Sequence, residues 1–223
     1  HAEARLQIAG MEDPDSDFLR ELSVLLEDGR ANGLEVFERM STCSEAAGIW
    51  FSLAKVTSLD PEGPELLGQN LMSFRRLPPY LKTRFAALAV PALDRMDQPL
   101  LAEKLMADFS AEEITWSRRL SLNSAILEMR KASAGSDAKL REYMQIAELR
   151  AEAAAALMRN GFPVDPGVRQ EVVGTILKDV ESLPEGGDVT TNLRSMFDRP
   201  ADISDYETIL RMSQLPALQD DNT

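Results

Sequence analysis

Residues 42–79 read TCSEAAGIWFSLAKVTSLDPEGPELLGQNLMSFRRLPP, and the fold class turns on how this stretch is read. Thr42 and Glu45 stand three apart, the spacing of a capping box, in which each side chain can satisfy the other residue's free backbone N–H. Behind them Ile49, Trp50, Leu53, Ala54 and Val56 recur at helical spacing. Asp60-Pro61 then offers a cap and a first-turn proline, and Leu66, Leu67, Leu71 and Phe74 keep the spacing up to Leu77-Pro78-Pro79. Two amphipathic helices joined by a short turn predict an antiparallel helix pair.

The same signals recur on both sides. Upstream, Asp13-Pro14 opens a helix carrying Phe18, Leu22, Leu25 and Leu26 to Gly29, and Asn32-Gly33 precedes a short one with Leu34, Phe37 and Met40. Downstream, Pro79 starts a helix through Leu81, Phe85, Leu88 and Leu93. Pro91 within it is expected to kink or end it, because proline has no N–H and clashes with the preceding turn. A short helix over 97–109 is followed by a second capping box, Ser110 and Glu113, which predicts one helix through Trp116, Leu120, Ile126 and Met129 to about Lys131. Beyond Ala134-Gly135-Ser136 the longest helix is expected, with Leu140, Met144, Ala147, Ala151, Ala154 and Met158 as its buried stripe and Asn160-Gly161 as its stop. Asp165-Pro166 opens a further helix through Val168, Val172, Val173, Ile176, Leu177 and Val180.

From Pro184 to Thr223 the chain carries eight acidic residues against three arginines. Its two weaker helical patterns centre on Leu193, Met196 and Phe197 and on Tyr206, Ile209, Leu210 and Met212, the latter behind a third capping box, Ser204 and Glu207. Pro216 to Thr223 reads as a frayed tail. The domain reading is therefore a helical domain over 1–183 and an acidic segment over 184–223. No stretch alternates with the period of a strand. The expected fold is all-α: an α-solenoid of antiparallel helix pairs, roughly ten helices and no sheet.

Composition removes whole classes of chemistry. The 223 residues carry a net charge of −13, with one Cys and one His. An acidic surface repels phosphate, which argues against nucleic acid and anionic membranes as partners and favours a basic or mixed-charge protein surface. One thiol cannot form an internal disulfide or a cysteine-rich zinc site. The sole histidine is His1, so histidine triads and histidine metal clusters are not expected. No apolar run reaches the roughly 20 residues of a spanning helix. A chain beginning His-Ala-Glu reads as a processed or excised piece. A soluble protein of cytoplasm or periplasm is expected, with no cofactor.

Trp50-Phe51-Ser52-Leu53-Ala54 resembles the first-helix signature of a tetratricopeptide repeat, Trp, two residues, Leu, then Gly or Ala. Pro78 lies 28 residues after Trp50, where that family places the proline closing its second helix. The family's tyrosine falls on Thr57, and its second-helix packing positions fall on Leu66, Asn70 and Ser73. The resemblance implies a superhelix of helix pairs whose groove holds a peptide or partner protein, and it brings no catalytic residue.

The remaining chemistry candidates are few. Cys43 would lie at a helix N-terminus, where the dipole favours thiolate, but no internal base accompanies it. Glu35 with Glu38, and Glu148 with Glu152, place carboxylates on single helix faces, where they could serve a divalent cation or a carboxylate-only hydrolase acting on a glycan, alone or as part of a larger enzyme. Arg39, Arg141 and Arg150 close by favour plain surface ion pairs instead. Arg75-Arg76 and Arg118-Arg119 are the arginine doublets. Trp50 and Trp116 read first as core anchors and second as groove residues. The functional expectation is a non-catalytic scaffold or adaptor binding a protein or peptide, with Trp50, Arg75, Arg76, Trp116 and Arg119 as its contact residues and no metal site.

Overall fold

A computed structural model describes residues 14–181. Among them are twelve α-helices and no strand: α1 (Pro14–Asp28), α2 (Leu34–Cys43), α3 (Glu45–Thr57), α4 (Gly63–Gln69), α5 (Leu71–Arg75), α6 (Pro79–Arg95), α7 (Pro99–Met106), α8 (Ala111–Trp116), α9 (Arg118–Arg130), α10 (Ser136–Tyr143), α11 (Arg150–Arg159) and α12 (Pro166–Glu181). The third capping box, the two weaker helical patterns and the boundary at residue 184 lie outside the described residues. No helix among these is long and apolar enough to cross a membrane. The chain divides into two compact units at Leu120/Ser121. Packing is mostly between helices adjacent in sequence.

In the first unit α3 is the hub, packing against α2, α4, α5 and α6. Its Ile49, Leu53 and Val56 are buried with Phe37, Leu67, Phe74 and Phe85, each such side chain worth about 1.5–3 kcal/mol when removed from water. Aromatic rings run through this core: Trp50 to Phe85 at 6.0 Å, Phe85 to Phe74 at 5.2 Å, and Phe74 to Phe109 at 6.3 Å between centroids. A contact between non-neighbours adds to the adjacent pairings. Arg84 of α6 donates from Nε to the Leu26 carbonyl at 2.6 Å and from Nη2 to that of Glu27 at 3.4 Å. These are carbonyls in the last turn of α1, which the helix itself leaves without partners.

The second unit is built on Leu122, Ala125, Ile126 and Met129 of α9, Leu140 of α10, and Leu149, Ala153, Ala156 and Leu157 around α11. The long helix expected here is interrupted. Between α10 and α11 the amides of Gln145, Ile146 and Leu149 each bond three residues back, and Arg150 Nε donates to the Met144 carbonyl. The reason lies in the spacing of Leu140 and Leu149. At about 100° per residue a continuous helix would turn them to opposite faces, and the break buries both. Of the expected stripe Leu140 and Ala154 are buried and Ala147 is exposed, while Ala153 and Ala156, not expected there, are inside.

Four other local expectations change. The helix expected over 61–77 is two, α4 and α5, meeting at Asn70, whose side-chain amide donates to the Leu66 carbonyl at 2.8 Å. The Thr42–Glu45 capping box does not open α3. Thr42 lies in the last turn of α2, where its hydroxyl donates to the Arg39 carbonyl, and extended Ser44 stands at the N-cap without a side-chain cap bond. Cys43 therefore ends a helix rather than starting one. Pro91 does not end α6, which runs on to Arg95. The proline and its neighbours Ala89, Val90, Ala92 and Leu93 are buried, and tertiary packing rather than propensity holds such a segment helical.

Four helix ends share one pattern. Leu59, Asp97, Ala132 and Gly161 have positive φ, at 59°, 56°, 52° and 77°. Each is followed by an amide that reaches back five residues: Asp60 to Lys55, Gln98 to Leu93, Ser133 to Glu128, and Phe162 to Leu157. This is the Schellman stop, which spends a left-handed residue to satisfy the last carbonyls.

Candidate binding surface

The capping box at Ser110 forms as read. Glu113 N–H donates to Ser110 Oγ at 3.2 Å, and Ser110 N–H donates to Glu113 Oε2 at 2.8 Å. The helix it opens ends after six residues. Ser117 is extended, at φ −104° and ψ 109°, and its hydroxyl accepts the Leu120 amide at 3.3 Å, capping α9. In an unbroken helix Trp116 and Leu120, four apart, would share a buried face. With the break, Leu120 is buried and Trp116 is 82% exposed. The core-anchor reading of Trp116 is thereby overturned.

Trp50 shows the opposite outcome. It is 7% exposed and packs against Phe85, so its place is in the core, where a partner does not reach it. Arg75 and Arg76 end α5 and are both exposed. Arg75 Nε donates to Asp108 Oδ2 at 3.2 Å, and its Nη1 lies 3.7 Å from Met72 Sδ. Arg76 makes no ion pair among the described residues. Arg119 is half-buried in the first turn of α9.

Two large side chains absent from the sequence expectation join the arginines. Met72 is 56% and Tyr80 60% exposed. A helical projection would have found them. Met72 and Arg76 each stand two residues from buried Phe74, about 200° around the helix, and Tyr80 is about 140° from the Phe85 face of α6.

Contacts tie this corner to the segment carrying Trp116. Arg75 bridges to Asp108, Phe74 meets Phe109, and Lys82 Nζ stands 5.9 Å from the Phe109 ring centroid. The Glu113 carboxyl is held below its ordinary value by the Ser110 N–H, then by the Ser110 hydroxyl, with a further contribution from the Lys82 charge. Trp116 lies three residues beyond Glu113, on the same side of α8. Met72, Arg75, Arg76 and Tyr80 thus stand exposed around the α5–α6 turn at Pro78-Pro79, and the contacts of Arg75 and Phe74 bring Asp108 and Phe109, at the start of the segment that carries Trp116, up to it.

The carboxylate pairs offer less. Glu35, Glu38 and Glu148 are exposed, and no group of three or more His, Cys, Asp and Glu among the described residues is placed to hold a metal ion. No family model matches the chain, and no curated protein or solved structure matches it significantly.

Proposed function

We propose that the chain is a non-catalytic helical-repeat module that docks a protein or peptide partner on the corner formed by Met72, Arg75, Arg76 and Tyr80, with Trp116 on the segment that meets it. The observation carrying this reading is the gathering there of exposed large side chains. Of the six exposed large hydrophobic residues among those described, Met72 and Tyr80 flank the two arginines, and Trp116 is carried by the segment whose Asp108 and Phe109 meet this corner. Trp, Tyr, Met and Arg are the residue types enriched at interface centres. A rigid frame adds to the argument, since Pro78-Pro79 and the Arg75–Asp108 bridge limit the ordering cost of binding.

Adjacent-helix packing supports the repeat-like part of the proposal. So do the tetratricopeptide-like positions: Trp50, Leu53 and Ala54 are buried on α3, and Pro78 stands immediately before α6. The module uses no acid–base group in this reading; its chemistry is surface complementarity.

Affinity capture from the native source tests it, with wild-type chain and the Tyr80→Ala/Trp116→Ala variant as paired baits. A stoichiometric partner held by the wild type and lost from the variant is the expected result. Equal recovery by both baits, or no partner under native salt, would overturn the assignment of this corner.

A further inference from the structure

The net charge of −13 favours a basic partner for the chain as a whole, yet the corner is locally the reverse. Residues 66–93 contain no Asp or Glu and carry Arg75, Arg76, Lys82 and Arg84. Arg84 is committed to the α1 carbonyls and Lys82 lies over Phe109. Arg75 gives its Nε to Asp108 but remains exposed, and Arg76 is exposed with no ion-pair partner among the described residues. Met72 and Tyr80 flank them as exposed apolar surface.

We infer that this corner recognises an acidic peptide segment: carboxylates against the Arg75 and Arg76 guanidiniums, and an apolar side chain against Met72 and Tyr80. The inference rests on the corner being a docking surface and adds the chemistry of the occupant. Guanidinium suits carboxylate because its planar N–H fork can donate two parallel hydrogen bonds. Repulsion from the rest of the acidic chain does not prevent this, since exposed charges farther off than a Debye length, about 8 Å at physiological salt, are largely screened. A phosphate backbone is the weaker candidate. Its affinity needs many lysines and arginines in a row, whereas only two exposed arginines stand here, one of them already paired with Asp108.

The test uses the full chain and three short fluorescent peptides that share one leucine pattern and differ in carrying Glu, Gln or Lys at every polar position, with a single-stranded RNA as a fourth probe. Saturable binding of the Glu peptide is expected, weakening as salt rises and falling about tenfold or more in Arg76→Glu. Arg76 holds no partner among the described residues, so that variant should fold normally, and an unchanged circular-dichroism melt checks it. Gln and Glu peptides binding alike at this corner would remove the acidic specificity and leave the docking surface standing. A Glu peptide that binds Arg76→Glu as well as wild type sits elsewhere, which overturns the inference. Preferential RNA binding overturns it as well. Failure of all four probes removes the docking surface and the acidic occupant together.

Discussion

Ser117 Oγ accepts the backbone amide of Leu120 across 3.3 Å, and this one hydrogen bond marks where a helix that the sequence would continue is cut in two. Trp116, on the near side of the cut, faces solvent, while Leu120 on the far side is buried. The only N-cap side chain in the sequence reading of this region was Ser110, because a serine mid-pattern is equally compatible with a helix interior.

Ser117→Ala should therefore cost about 1 kcal/mol, the usual worth of a lost N-cap, in a urea melt of the full chain. Ser117→Asp keeps an acceptor in place and should lie close to wild type. Equal loss in both variants would mean that the hydroxyl is not what starts α9.

At Gly63 the start of α4 lies tight against the backbone of α3. A Cβ built there would stand 2.8 Å from the Val56 amide nitrogen and 3.0 Å from the carbonyl carbon of Lys55. Both are backbone atoms of α3, so no side chain can swing away to make room. Gly63→Ala is expected to destabilise by about 1–3 kcal/mol, the range for overpacking a filled site. Gly68→Ala is the control, since nothing lies within 4 Å of a Cβ at that position. There alanine should be neutral or slightly stabilising in the same thermal melt.

Ala132 adopts φ 52° at the end of α9 and is exposed. A left-handed conformation costs a non-glycine residue roughly 1–2 kcal/mol, partly offset by the greater freedom that glycine has when unfolded. Ala132→Gly should gain a few tenths to about 1 kcal/mol, and Ala132→Val should lose stability in denaturant titrations.

Among the described residues, Lys55 and Glu113 each contribute a pH dependence of known sign. Burial pulls the Lys55 ammonium down, but its hydrogen bonds to Glu62, at 2.6 Å, and Asp60 outweigh that and leave its pKa above the ordinary 10.5. A raised lysine contributes stability that is complete below its ordinary value and fades as pH climbs through the folded value. Glu113 is lowered from 4.5, chiefly by the Ser110 N–H. Its contribution is complete above that value and fades as pH falls through the folded one. Melting midpoints should separate wild type from Glu113→Gln near neutral pH and converge in acid. They should separate wild type from Lys55→Met near neutrality and converge only in strong alkali.

How much of this was readable beforehand depended on whether the deciding signal was local. Proline starts at Pro79 and Pro166, and the glycine stop at Gly161, act within a turn and stand where the sequence puts them. Ser110-x-x-Glu113 formed its box, whereas Thr42-x-x-Glu45 has the same pattern and did not, because Thr42 turned its hydroxyl to the Arg39 carbonyl. Short-range spacing cannot separate those two uses of one hydroxyl. The break between α10 and α11 follows from burying Leu140 and Leu149 in one core cluster with α9, a tertiary demand that no window of the sequence contains. The corner was read in half: its arginines stood out as a doublet, but Met72 and Tyr80 became visible only against the buried faces of Phe74 and Phe85. Trp50 and Trp116 look alike as letters and differ completely in exposure.

Photocrosslinking from position 80 in the native source, with a photoreactive phenylalanine analogue in place of Tyr80, tests the docking surface most directly. Leu100, exposed on α7, serves as the control position. One discrete adduct from position 80, absent from position 100 and abolished by Arg76→Glu, is the expected result. No adduct from position 80, or the same adduct from both positions, would contradict the assignment of this corner as the place where a partner docks.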